Sequence, residues 1–200
     1  MRLTILTAII ATVVGFVAVY ASLTLSGNGE KISDATNQEK YQKMQGERLR
    51  AFIFHKEPKE IEDFKFQDAF GNTKSLSDWK GKVVLINLWA TWCAPCREEM
   101  PSLDNLKKHF STEKFDVVTI SMDRGGVSKP RKFFDEERIK YLELYIDPTT
   151  RLMFKMKAVG LPATILLDPE GREIGRMAGP AQWDSDRAIE IVQKALAQKT

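Results

Sequence analysis

The chain has 200 residues, 43% hydrophobic and 28% charged, with a formal net charge of +3. That is enough for one substantial core plus some extra, and hardly for two. Twelve glycines and eight prolines exclude collagen-like and low-complexity classes, and two cysteines allow at most one intramolecular disulfide, which excludes a cysteine-stapled miniprotein.

The segment 1–29 is the first element. After Met1 and Arg2, no charged side chain occurs up to Gly29, and Leu3 to Leu25 are mostly Ile, Val, Leu, Ala and Phe. At about 1.5 Å of rise per residue, such a run spans a hydrocarbon core of roughly 30 Å. It reads as an N-terminal transmembrane signal-anchor. A cleaved signal peptide is the competing reading, because Val19-Tyr20-Ala21 puts tolerated residues where a signal peptidase inspects the chain, but the apolar run exceeds the usual length of a cleavable signal. Arg2 stands before the span, whereas Lys31, Lys40, Lys43, Arg48 and Arg50 follow it, so the positive-inside rule does not orient it. Residues 30–59, polar and mixed in charge, read as a stalk, and residues 60–200 as the folded domain. No internal repeat is visible.

Lys82 to Trp89 is a nearly continuous apolar run, the pattern of a strand buried on both faces. Met100, Leu103, Leu106 and Phe110 recur at steps of three and four and predict a helix. Phe115 to Met122 reads as a second buried strand, Lys129 to Arg138 as a helix, and Leu142 to Ile146 as an alternating strand. Thr164 to Leu167 and Arg172 to Ala178 flank the turn residues Asp168-Pro169-Glu170-Gly171 and predict a hairpin. Asp184 and Ser185 cap a last helix whose Ile189, Val192 and Leu196 are expected to face inward. This order predicts one α/β domain.

The chemistry lies in Trp92-Cys93-Ala94-Pro95-Cys96, where the first buried strand meets its helix. Two intervening residues at a helix start bring two sulfurs within bonding reach. Unpaired N–H groups and the macrodipole at a helix amino terminus favour an anion on the first cysteine. A fall in thiol pKa from about 8.5 to about 7 is worth roughly 2 kcal/mol. Cys93 is therefore the expected nucleophile and Cys96 the resolving thiol. Structural zinc requires four ligands; Cys96 and His109 fit a C-x₂-C-x₁₂-H spacing, but no second histidine follows His109, and His55 is far upstream in a polar stretch. Cu(I) held by two soft thiolates stays open as a rival.

Around these residues the sequence resembles a known family. Trp92-Cys93-Ala94-Pro95-Cys96 after a buried strand, with Gly160-Leu161-Pro162-Ala163-Thr164 before a later one, resembles the thioredoxin superfamily. Asn87 to Cys93 with Arg97-Glu98-Glu99-Met100-Pro101, and Leu167 to Gly171 with Ala178-Gly179-Pro180-Ala181, resemble the membrane-anchored TlpA-like thiol-disulfide oxidoreductases over roughly residues 60–198. The resemblance implies a thioredoxin-like fold, a central mixed sheet flanked by helices with a central insertion, after one transmembrane helix. It implies a catalytic domain in the periplasm, tethered to the bacterial inner (cytoplasmic) membrane, reducing disulfides of cytochrome c or cytochrome oxidase assembly factors. A membrane-embedded electron donor would re-reduce it, and no cofactor is needed. It further implies that Trp92, Ala94, Pro95, Leu161 and Pro162 contact substrate, with the Leu161–Pro162 bond cis and the Leu161 backbone free to pair with an extended segment.

Two departures matter. Thioredoxin itself places a buried aspartate six residues before the first cysteine, where this chain has Asn87; related haem-maturation reductases often carry a glutamate between the cysteines or just after the cis-proline, where it has Ala94 and Ala163. Glu98 and Glu99 read as solvated carboxylates on the helix surface, serving as a base only if one folds back toward the dithiol, and Arg97 reads as a surface cation. The positive net charge invites nucleic-acid binding, with Ser128-Lys129-Pro130-Arg131-Lys132 beside Phe133-Phe134 as its best support. Asp135, Glu136 and Glu137 follow at once. The stretch therefore reads as an amphipathic helix end with its phenylalanines inward, or as a charged docking surface for a partner, and no nucleic-acid partner is expected.

Overall fold

A computed structural model of the protein describes residues 49–197. The expected transmembrane segment 1–29 and residues 30–48 of the expected stalk lie outside the described residues.

The apolar run in the middle of the sequence forms the centre of a sheet. Strand β4 (Val83–Trp89) is buried at every position, and β5 (Phe115–Ser121) at all but Asp116. These two pair in parallel, and β7 (Ala163–Leu167) pairs antiparallel on the other side of β4. Burial on both faces accounts for their unbroken Val, Ile and Leu content. The hairpin partner β8 (Glu173–Ala178) lies against β7, and β6 (Leu144–Ile146) lies parallel to β5.

Three strands extend this centre. They are β1 (Ile53–Lys59), antiparallel to β8, then β2 (Lys65–Asp68) beside β6, and β3 (Thr73–Ser75) beside β2. The spatial order is β1-β8-β7-β4-β5-β6-β2-β3, a mixed sheet flanked by helices. The helices are α1 (Ala94–His109), α2 (Ser128–Glu136), α3 (Arg151–Lys155) and α4 (Asp186–Ala197). Between β5 and β7 the chain inserts α2, β6 and α3, in the place of the central insertion that the sequence resemblance implies.

Two expectations need correction. Residues 53–59, assigned to the stalk, are a sheet strand: Ile53 pairs with Arg176 and Phe54 with Gly175. Their polarity misleads because an edge strand presents most of its side chains to water. His55 in this strand is consequently part of the fold, its Nε2 2.6 Å from Oε1 of the buried Glu173. In α4 the buried positions are Ala188, Ile191, Val192 and Ala195, with Ile189 and Leu196 half-buried on the flanks, so the inward stripe is offset from the expected one.

The phenylalanines of α2 do turn inward, and Phe133 and Phe134 pack on the buried indole of Trp89 at ring distances of 5.2 and 5.7 Å. Helix α1 is fastened at two places. Asp104 Oδ1 accepts the backbone N–H groups of Tyr141 and Leu142 at 2.7 and 2.9 Å, and Ser102 Oγ accepts the N–H of Trp183 at 3.0 Å. These bonds hold the helix that carries the cysteines against the segments before β6 and α4.

Candidate active site

Cys93 occupies the N-cap of α1 in extended conformation, and Ala94 and Pro95 form the first helical positions. Proline fits there because its fixed φ suits the first turn and it has no N–H to leave unpaired. The backbone turns on a bond from Cys93 N–H to the Ala90 carbonyl, 3.1 Å, while the Cys93 carbonyl accepts the N–H of Arg97. The two cysteines are joined, with their Cα atoms 5.3 Å apart. Cys93 keeps 6% of its surface exposed and Cys96 none. Of the two, Cys93 is the one that touches the surface, and Cys96 is sealed.

The rim is fixed from behind. Asp123, buried after β5, accepts the Thr91 N–H and hydroxyl at 2.9 and 2.7 Å and the Ser121 hydroxyl at 2.8 Å. These bonds hold the loop that presents Trp92, which is 70% exposed. The Leu161–Pro162 peptide is cis, as the resemblance implies, and neither backbone group of Leu161 has a backbone partner among the described residues. Ala94 is exposed, Pro95 and Leu161 are half-buried, and Pro162 is buried immediately before β7. Arg97 is exposed, with its guanidinium carbon 6.0 Å from the centre of the Phe133 ring.

The largest departure from the sequence reading is Glu99. Expected as a solvated surface carboxylate, it is 3% exposed. Oε1 accepts from Asn87 Nδ2 at 2.8 Å, and Oε2 accepts from the Ala181 N–H at 2.9 Å and from the Trp183 indole N–H at 3.0 Å. None of these donors carries a charge. Burial therefore dominates and pushes the Glu99 carboxyl up to about 7, with the three hydrogen bonds pulling partly back. The helical spacing contains the missed signal: Glu99 lies three residues after Cys96 and four before Leu103, on the inward stripe, whereas Glu98 lies off it and is exposed. A carboxyl that titrates near neutrality one helical turn from a buried thiol is suited to exchange a proton with it.

Asn87 lies in the middle of β4, between Thr119 of β5 and Thr164 of β7. Its Nδ2 also donates to Thr164 Oγ1 at 3.0 Å, which leaves Asn87 Oδ1 buried without a hydrogen-bond partner among the described residues.

Comparison with known proteins gives the same picture. A profile of the AhpC/TSA family matches residues 58–172. The chain is 29% identical over 117 residues to the thiol-disulfide oxidoreductase ResA of Bacillus subtilis, covering 58% of this chain and 64% of ResA. It is 32% identical over 122 residues to the thioredoxin-like protein YneN of the same organism, covering 58% and 67%. The chain therefore spans about two thirds of the length of these relatives. Among solved structures, the thioredoxin domain of a Bacteroides vulgatus thiol-disulfide oxidoreductase superposes with a TM-score of 0.58 at 26% identity, covering 70% of this chain and 98% of that one. The joined cysteine pair and this kinship together support thiol-disulfide oxidoreductase chemistry.

Proposed function

Because the chain belongs to the AhpC/TSA family and its fold is thioredoxin-like, we propose that it reduces disulfides of partner proteins on the periplasmic side of a bacterial inner membrane. The observation that carries this reading is the asymmetry of the dithiol, with Cys93 at the start of α1 the more exposed and Cys96, within the helix, fully buried.

In the reduced enzyme, the helix amino terminus stabilises Cys93 as thiolate. The thiolate attacks one sulfur of the partner's disulfide; the new S–S bond joins Cys93 to the partner, and the partner's other sulfur leaves as thiolate. Cys96 gives its proton to the Glu99 carboxylate and attacks Cys93. The intermolecular bond breaks, the partner departs with both sulfurs reduced, and the enzyme retains the Cys93–Cys96 disulfide. Two electrons have passed to the partner, and the proton on Glu99 is available to the departing thiolate. A membrane-embedded dithiol donor reverses these steps on the enzyme. Trp92, Ala94, Pro95, Leu161 and Pro162 form the surface that the partner meets, and the Leu161 backbone pairs with its extended segment. The resemblance to TlpA-like proteins supports cytochrome c or cytochrome oxidase maturation as the setting, and the apolar segment 1–29 supports a membrane tether with residues 30–48 as a spacer.

The test is capture. In Cys96→Ser the mixed disulfide on Cys93 persists, and mass spectrometry identifies its partner. A Cys96→Ser protein that accumulates no mixed disulfide overturns the reading, and a reduction potential near the −120 mV of strong thiol oxidants reverses its direction.

A further inference from the structure

Beside the exposed Trp92 runs a groove of about 400 Å³ that reaches from the dithiol loop to α3. Met122 and Met153 line it, and Arg124 and Lys129 are among its lining residues. Outside it, two further apolar side chains are exposed: Phe154, next along α3, at 89%, and Val159, two residues before Leu161, at 92%.

The charge around the groove has one sign toward solvent. Arg124 and Lys129 are both exposed, and neither has a carboxylate partner among the described residues. Among the described residues the one carboxylate lining the groove is Asp123, buried, with its oxygens accepting from Thr91 and Ser121. By contrast, Lys155 of α3 is paired with Glu62 at 2.7 Å, so its charge is answered within the protein.

We propose that this groove selects the partner: it takes an extended segment in which the half-cystine attacked by Cys93 is flanked by an acidic and an apolar side chain. The acidic group lies between Arg124 and Lys129, and the apolar one against Trp92 and Met153. This inference rests on the reductase reading above and specifies its substrate class. Apolar contact with the flexible thioether of the half-buried Met153 tolerates several shapes, while the two cations set the sign of the charge that is accepted.

The experiment uses the full-length protein in its reduced form and three peptide disulfides that are identical except for the flanking pair, Glu-Leu, Gln-Leu or Lys-Leu. The second-order rate constant of each is divided by its rate with dithiothreitol, which removes the intrinsic effect of the charge. The expected ratio of acidic to basic peptide is about tenfold at low salt and falls toward one as added salt screens the contact. In the double variant Arg124→Ala with Lys129→Ala the ratio falls to about one, and in Arg124→Glu with Lys129→Glu the order inverts. Each ratio is taken within one protein preparation, so partial loss of folded protein cancels. Equal rates for the three peptides, faster reduction of the basic one, or a preference that survives in both double variants overturns the inference and leaves the reductase reading standing. Failure to reduce any of the peptides overturns the reductase reading, and this inference with it.

Discussion

Asn87 Nδ2 donates to Glu99 Oε1 at 2.8 Å inside the protein, so an uncharged amide, where thioredoxin itself has an aspartate, meets a buried carboxyl that comes from the helix. In the proposed mechanism the proton acceptor is thus carried by the helix, three residues after Cys96, and not by the strand. Because burial desolvates its carboxylate and the three uncharged hydrogen-bond donors pull only partly back, Glu99 binds its proton far more tightly in the folded protein than in the unfolded chain.

That difference has a sign in stability. The folded Glu99 titrates near 7 against an ordinary 4.5, so its contribution is fully present below about pH 4.5 and is lost as pH rises through 7. Over that window the loss is roughly 3 kcal/mol. Glu99→Gln removes the titration. The difference in unfolding free energy between the two proteins, measured by denaturant titration from pH 4 to 9, is expected to shift in favour of the glutamine variant as pH rises. The same variant resolves mixed disulfides more slowly and without the inflection near pH 7.

Asn87→Asp puts a second carboxyl within hydrogen-bond distance of the first. Two such groups cannot both ionise readily, so the pair shares one proton and its second dissociation moves up by about one to three units. The pH profile of mixed-disulfide resolution is expected to move alkaline by that amount, and stability above pH 8 to fall below that of the parent protein.

Glu173 shows the opposite balance. Burial raises its carboxyl, but hydrogen bonds and charge from Arg176 and His55 outweigh this and hold it below its ordinary value. Arg176 also donates to the Met156 and Lys157 carbonyls at 3.2 and 3.4 Å, which ties β8 to the chain leaving α3. Stability from Glu173 is therefore present above the unfolded pKa and lost as pH falls through the folded one. Glu173→Gln is expected to cost roughly 1–3 kcal/mol at neutral pH, less than a wholly buried pair because Arg176 is partly solvated. Urea unfolding of both proteins at pH 7 and pH 3 should show the gap closing in acid.

Gly175 in β8 admits no larger residue. An added Cβ would approach Phe52 Cε1 to 2.6 Å and the Ile53 carbonyl oxygen to 2.9 Å. Gly175→Ala is expected to displace β1 and to destabilise by about 1–3 kcal/mol, with amide exchange accelerating first at residues 53–59.

The sequence reveals the centre of this fold more readily than its margins. In β4 and β5 every residue but Asp116 is buried, and a strand covered on both faces must be apolar throughout. The margins lack that constraint: β3 is three residues with none fully buried, and β1 shows mostly exposed polar side chains, so neither leaves a hydrophobic period to detect. The cysteine pair could be read from local spacing because its chemistry is local. The surroundings of Glu99 could not, since Asn87, Ala181 and Trp183 are 12, 82 and 84 residues away and meet only when the sheet assembles.

The two margins also govern how other chains can join this one. The outermost strands are β1, which carries Lys56, Pro58 and Lys59, and β3, which is too short to template much pairing. Charge, proline and shortness are what keep sheet edges from recruiting foreign strands. With both flanks guarded in this way, the proposed backbone pairing with a partner at Leu161, whose own backbone groups have no backbone partner among the described residues, does not compete with pairing at the sheet edges.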